Sequence, residues 1–144
     1  MPSDKEHKLK YVGEYTKKFN EVLGVNLKPM KIYQSSGLSK HVLKRHPSFV
    51  NYIGNIPDII RDPDYIGINP SEDNSLELIK KYDKYVLLAI KLDSSGKYLY
   101  VASIYGIESS KIKRRLHSGR LKKAKSADMP LYNPSKFSVK LASF

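Results

Sequence analysis

The sequence predicts an α+β fold: N-terminal helices packed on a roughly four-stranded antiparallel sheet, followed by a basic C-terminal helix. Two observations predict it. Apolar residues recur three to four apart in the first part of the chain, and from residue 65 onward they fall into short strand-like runs. Those runs are separated by turn-forming segments short enough to join antiparallel neighbours. The expected organisation is an N-terminal helical extension over 1–29, a central domain over 30–125, and an extended tail over 126–144.

Each element has a local reason. Residues 1–8 are polar. From His7 to Gly24 the spacing of Tyr11, Tyr15, Phe19 and Val22/Leu23 predicts a helix, with Gly24 as its stop. Met30–Gln34 reads as a strand closed by Ser35-Ser36-Gly37. A second helix is predicted from Leu38 to His46, where Leu38 and Val42 share a face and Pro47 ends or kinks it. Phe49, Tyr52 and Ile53 suggest a further helical turn or two. The run from Ile56 to Asp64 reads as a short helix with Pro57 in its first turn, stopped before Pro63.

Tyr65–Ile68 is a short strand. Three more follow: Ser75–Lys81, Tyr85–Leu92 and Tyr98–Tyr105. The Asp93-Ser94-Ser95-Gly96 segment between the last two is a hairpin signal. Residues 85–90 are apolar on both faces, which predicts the central strand. Glu108–Lys125 is the last helical piece, with Gly119 as a break point. Residues from Ala127 on, with Pro130 and Pro134, read as an extended tail.

The chain has 144 residues, 26 Lys+Arg against 14 Asp+Glu, and a net charge of +12. That length supports one domain with a core. The absence of cysteine excludes disulfides, iron–sulfur clusters and Cys-ligated zinc. The apolar residues are too scattered for a membrane span, and no apolar run follows the basic start as in a secretory signal. The expectation is a cytoplasmic protein, or one delivered into a target cell by another route, with no membrane partner. The charge is concentrated at the ends: the balance is +6 over residues 1–50, −2 over 51–100 and +8 over 101–144. Folded side by side, the two ends make a positive face that attracts polyanions.

The densest chemical constellation is His41-Val42-Leu43-Lys44-Arg45-His46-Pro47. On a helix His41, Lys44 and Arg45 share one side, and His46 follows at the helix end. Histidine gives and takes protons near neutral pH, and flanking cations hold a phosphate nearby. A surface basic helix whose terminal histidine caps carbonyls explains the same residues. The histidines are five apart and do not match the HExxH metal spacing. The acidic cluster Asp58, Asp62 and Asp64 suggests magnesium, but Asp58 and Asp62 fit better as caps and turn residues around Pro57 and Pro63. No cofactor and no metal is expected.

Strict alternation along Tyr98–Tyr105 places Leu99, Val101, Ser103 and Tyr105 on one face, opposite Tyr98, Tyr100, Ala102 and Ile104. Ser103 could donate to a phosphate oxygen where the sheet opens, or be a satisfied core serine. Lys80 and Lys81 end an inner strand, and one must face its neighbours' inner side. Tyr105, Tyr82 and Tyr85 sit near strand ends where a ring can stack on an unpaired base; tyrosine is also simply a good strand residue. The stretch 108–125 carries eight cations, among them Lys111, Arg114 and Arg115, against Glu108 alone, so salt-bridge lacing does not explain it.

Taken in order, Gly37–Pro47, Ile56-Pro57-Asp58-Ile59-Ile60, Pro63–Gly67, Asn69-Pro70, Tyr85–Leu92, Tyr100–Tyr105, Ser110-Lys111-Ile112 and the basic run to Lys123 carry a resemblance. Over roughly residues 30–123 the chain resembles the phage-associated nuclease domains of the barnase, EndoU, colicin and RelE-like fold. The resemblance implies a metal-independent ribonuclease whose cleft opens on the exposed sheet face. It places the helix histidines at His41 and His46, the strand hydroxyl at Ser103, and basic contacts at Lys111, Arg114 and Arg115; Lys80 and Lys81 are the candidates for a strand lysine.

RNA brings its own nucleophile, so a histidine, a second proton carrier, a hydroxyl and cations suffice for the chemistry. The implied roles are His46 as principal acid–base, His41 as its partner or a phosphate contact, and Ser103 and Lys111 at the scissile phosphate. The implied partners are RNA, tRNA included, and, for a phage or mobile-element toxin, an acidic antitoxin or immunity protein. Two other functions fit the same charge: a basic module that holds nucleic acid without cutting it, and a protein-interaction component of a phage system.

Overall fold

The computed structural model describes residues 8–72 and 75–124. Their elements are β1 (Leu9–Tyr15), α1 (Lys17–Leu23), β2 (Met30–Ser35), α2 (Leu38–Arg45), a 3-10 segment (Pro47–Asn55), α3 (Ile56–Arg61), β3 (Tyr65–Ile68), β4 (Ser75–Lys81), β5 (Tyr85–Leu92), β6 (Leu99–Gly106), α4 (Ser109–Ser118) and β7 (Leu121–Lys123). The tail expected from Ala127 on lies outside the described residues. The fold is α+β, but the sheet has seven strands rather than about four, in the order β1-β2-β6-β5-β4-β3-β7. It is mixed: β2 runs parallel to β6, and the other pairs are antiparallel.

The predicted helix over 7–24 is in fact a strand followed by a short helix. The expected face runs Tyr11, Tyr15, Phe19 at intervals of four, which a strand's period of two satisfies as well as a helix turn does. The β1–β2 register shifts between Tyr11 and Gly13, so Val12 and Tyr15, three residues apart, are both buried. The bulge in fact separates Tyr11, 51% exposed, from Tyr15, 2% exposed. Phe19, which extends that apparent face, enters the core from α1. Residues 9–23 thus belong to the sheet and to the layer that covers it.

The basic helix is shorter than its composition suggests. Gly119 closes it in the left-handed conformation (φ 86°), which glycine adopts without a Cβ clash. The cations beyond it form β7, which pairs with β3. The boundary after α2 follows from Pro47, which disfavours helical backbone at the residue before it. His46 accordingly leaves the helix at φ −141°, ψ 61°.

The sheet buries both faces unequally. On the first face, Ile32, Ile66, Leu76, Leu78, Val86, Leu88, Ile90, Val101 and Ile104 meet Phe19, Leu38, Val42, Ile56, Ile59 and Ile60 from the helical layer. On the second face, Ile79, Leu87 and Leu121 pack with Ile112 and Leu116 of α4. β5 contributes to both clusters, as its continuous apolar run predicts.

The register of β6 corrects the expected alternation. Ala89 pairs with Ser103 but Ile90 with Val101, so Ala102 is an extra residue. Leu99 and Val101 therefore share the first face with Ile104. Ser103 and Tyr105 lie on the second face, the side that also carries Tyr98 and Tyr100. The β2–β6 pairing spans only Ile32–Leu99 and Tyr33–Tyr100. From Val101 to Gly106, β6 has β5 as its one strand neighbour among the described residues.

Gly67 on β3 faces the turn out of α4: a Cβ there would collide with the backbone carbonyl of Arg120 and the side chain of Leu121. Backbone cannot yield as a flexible side-chain tip does. Gly67→Ala is expected to destabilise the domain by about 1–3 kcal/mol, read as a lowered midpoint in denaturant unfolding of the full chain.

Candidate active site

His46 is fixed through its backbone. Its N–H donates to the Val42 carbonyl (2.7 Å), closing α2, and its carbonyl accepts from the Phe49 N–H (2.9 Å), opening the 3-10 segment. The side chain is half-buried and its ring centroid lies 5.1 Å from that of Tyr105, with 30° between the planes. A helical histidine from one layer thus meets a strand tyrosine from the sheet. They line a cleft of about 620 Å³ with Arg45, Phe49, Lys84, Tyr85, Gly106 and Glu108. Phe49 packs directly on Gly106, where a Cβ would strike its ring, and the Lys84 ammonium sits 5.3 Å from the centre of the Phe49 ring.

A buried charge cluster lies on the same sheet face as Tyr105, two strands across: Glu77 is in register with Ala89, and Ala89 with Ser103. Glu77, 2% exposed, points from β4 to the second face. It accepts from Arg120 Nε (3.1 Å) and Arg120 Nη2 (2.7 Å), and from Arg115 Nη1 (3.4 Å). One carboxylate therefore holds two guanidiniums, and the cluster keeps a net positive charge. The two-bond fork to Arg120 fixes that side chain in direction as well as position. Burial raises the Tyr105 phenol above its ordinary pKa; Glu77 adds to the rise, and Arg115 and Arg120 oppose it. The phenol is thus a protonated donor at neutral pH and into the alkaline range.

Arg115 and Arg120 also line a second, wider cleft of about 810 Å³ with Lys111, Arg114, Ser118 and Lys122. Lys111, Arg114, Arg115 and Ser118 fall on one side of α4 by the three- and four-residue spacing of a helix. Cations from α4, the turn after it and β7 converge there. All of these cations come from residues 111–122, so this cleft gathers the basic C-terminal stretch and not both basic ends of the chain; its charge suits an anionic chain.

Other expected residues are placed differently. His41, Lys44 and Arg45 are exposed on α2; Arg45 lines the His46 cleft, whereas His41 and Lys44 are not among its lining residues. Ser103 is on the same face as Tyr105, but its Oγ is enclosed and has no hydrogen-bond partner among the described residues. It offers an unsatisfied hydroxyl from within the sheet rather than an open one. Lys80 turns to the first face, where its ammonium bonds the Asp62 carbonyl (2.8 Å) and carboxylate (3.2 Å). Lys81 points to the second face, 5.2 Å from the Tyr85 ring centre. Among the described residues, no three His, Asp or Glu side chains gather as a metal-binding set, and no helix is long and apolar enough to cross a membrane.

Sequence reasoning missed Glu77 and Arg120. Glu77 carries a signal: it is the one acid inside an apolar strand, and strict alternation puts it on the face opposite Leu76 and Leu78. Arg120 was hidden within the longer helix expected there.

No curated protein and no solved structure gives a significant match to the chain. A family model does match, over residues 10–114: phage-Barnase-EndoU-ColicinE5/D-RelE like nuclease3. The matched span includes nearly all of β1, the His46 helix end, the β3–β6 meander and α4 as far as Arg114; Arg115, Arg120 and Lys122 lie beyond it. The chain belongs to this family of phage-associated Barnase–EndoU–Colicin–RelE-like nuclease domains.

Proposed function

We propose that the protein is a metal-independent endoribonuclease, acting by attack of the RNA 2′-hydroxyl on the adjacent phosphate. The observation that carries this reading is the stacking of His46 on Tyr105 beside the Glu77–Arg115–Arg120 cluster. A proton carrier, a neutral hydroxyl donor and held cations then flank one stretch of the sheet.

In the proposed reaction His46 takes the proton of the 2′-hydroxyl as its oxygen bonds to phosphorus. The phosphorus–5′-oxygen bond breaks and the leaving oxygen takes the Tyr105 phenol proton; afterwards the phenolate regains a proton from solvent and the His46 imidazolium returns one to solvent, which closes the cycle. The products are a 2′,3′-cyclic phosphate and a 5′-hydroxyl. Negative charge grows on the phosphoryl oxygens during the step, and cations already fixed in place stabilise it without reorganising. Glu77 keeps Arg115 and Arg120 in place and is a positioning residue. The Tyr105 ring fixes the imidazole plane. Lys111, Arg114 and Lys122 bind flanking phosphates.

A second reading, a basic domain that binds RNA without cutting it, draws support from His41. It lies outside the His46 cleft, which leaves a single histidine there. Both readings give salt-sensitive binding; only the first gives cleavage.

Incubation of the full chain with total tRNA in EDTA is expected to yield fragments with cyclic-phosphate ends. His46→Ala is expected to lower the rate by about 10²–10⁴-fold. Intact tRNA with wild type, alongside a salt-sensitive gel shift, would move the assignment to the binding module. Tyr105→Phe keeps the ring against His46 and removes the hydroxyl; a loss of about 10²-fold in kcat is expected, with melting temperature as the folding control. Glu77→Gln removes one negative charge from the basic face and releases two arginines. Its expected signature is slower cleavage with RNA binding as tight as wild type or tighter, measured by single-turnover kinetics and anisotropy.

A further inference from the structure

The second sheet face continues past the His46 cleft into a ladder of tyrosines. Tyr11 on β1, Tyr33 on β2 and Tyr98 just before β6 form consecutive edge-to-face pairs. Their centroids are 6.1 Å and 5.4 Å apart, at 73° and 87°. Tyr100 pairs in register with Tyr33. Tyr11 is 51% exposed, and Tyr33, Tyr98 and Tyr100 are half-buried. Cross-strand aromatic pairs stabilise a sheet, which explains why the rings touch. It does not explain why four rings lie together on a face that remains in solvent while α4 packs over β3, β4 and β5.

The bulge at Ala102 puts this ladder and Tyr105 on one side of β6. Five residues separate Tyr100 from Tyr105, about 16 Å at the rise of a strand, and β2 and β1 add two strand spacings of about 4.8 Å each. The ladder and the cleft thus form one surface a few nucleotides long. In edge-to-face pairs each ring that offers its edge keeps its faces, and a ring face accepts any base. Lys31 and Lys97 are exposed at its margin. Of the nearby acids, Asp93 accepts from the Ser95 N–H within its own turn and lies against the Tyr98 hydroxyl, and Glu14, opposite Lys31 in the β1–β2 register, lies against the Tyr11 hydroxyl; both meet hydroxyls at the ring tips and leave the ring faces clear.

We infer that Tyr11, Tyr33, Tyr98 and Tyr100 are a stacking platform for unpaired RNA bases flanking the cleavage position, so that the substrate class is single-stranded RNA. This rests on the nuclease reading for its substrate, and its test does not depend on cleavage. A fluorescent single-stranded 2′-deoxy decanucleotide lacks the nucleophile and stays intact, so anisotropy with the full chain reads binding alone.

Tyr33→Ala and Tyr98→Ala are each expected to weaken decanucleotide binding about tenfold. They should leave binding of a dinucleotide phosphate, which reaches only the cleft, unchanged. Tyr33→Phe and Tyr98→Phe retain the rings and are expected to bind as wild type, which separates loss of stacking from loss of fold. A base-paired hairpin of equal length is expected to bind more weakly than the single strand. Unchanged decanucleotide affinity in both alanine variants overturns the platform, whether or not the protein cuts RNA. A concentration-dependent dimer by analytical ultracentrifugation that the alanine variants abolish, with oligonucleotide affinity intact, would assign the face to a second copy instead. Normal platform binding in a protein that never cleaves would overturn the nuclease reading and leave this one standing.

Discussion

Ala102 has no partner on β5, and that one unpaired residue determines what the second face of the sheet carries. Without it, Ser103 and Tyr105 would follow Val101 into the first face, among aliphatic side chains. With it, the strand keeps Val101 and Ile104 in the main core and turns Tyr105 toward His46. A bulge costs ladder hydrogen bonding and adds local twist. Here it separates the half of β6 that pairs with β2 from the half that has β5 alone. The cleft lies against the second half, where α2 and the 3-10 segment bring His46 and Phe49 to the strand.

The rest of the site is built from neutralisation that stops short of completion. Glu77 is buried and bonded to two arginines. A buried carboxylate without such partners would be costly, and two half-buried arginines without it would be loosely held. Each side of the cluster accounts for the other. The imbalance of two cations to one anion leaves positive charge on the surface that borders Tyr105. Lys80 shows the contrasting arrangement: strand alternation puts it on the first face after Leu76 and Leu78, where Asp62 pairs with its ammonium. Its charge is used in joining α3 to the sheet.

Much of this was legible in the sequence, and the gaps have identifiable causes. The helix at Leu38–Arg45, the helix around Pro57 and the strands β3 to β6 followed from periodicity, proline placement and turns. Position His46 was legible because Pro47 forces the break that presents it. What failed were the places where a period is ambiguous or broken. Intervals of four from Tyr11 to Phe19 fit a strand as well as a helix, so β1 read as part of a helix, and the bulge at Ala102 reversed the facing of Ser103 and Tyr105. β7 was hidden because three residues after a glycine give no periodicity at all. Glu77 joining Arg115 and Arg120 is a contact over about forty positions of sequence, and no local pattern encodes it.

The parallel pairing of β2 with β6 also bears on the order in which the molecule comes into being. Sixty-odd residues intervene between Tyr33 and Tyr100, whereas β4, β5 and β6 are joined by short turns. Contacts between sequence neighbours form early, and those that close long loops come late. The first two strands leave the ribosome long before the strand they dock against, and Arg120 follows later still. His46, Tyr105 and the paired arginines meet only when nearly all of the described chain has been made. A growing chain therefore carries the pieces of the cleft past ribosomal and messenger RNA while they are still apart.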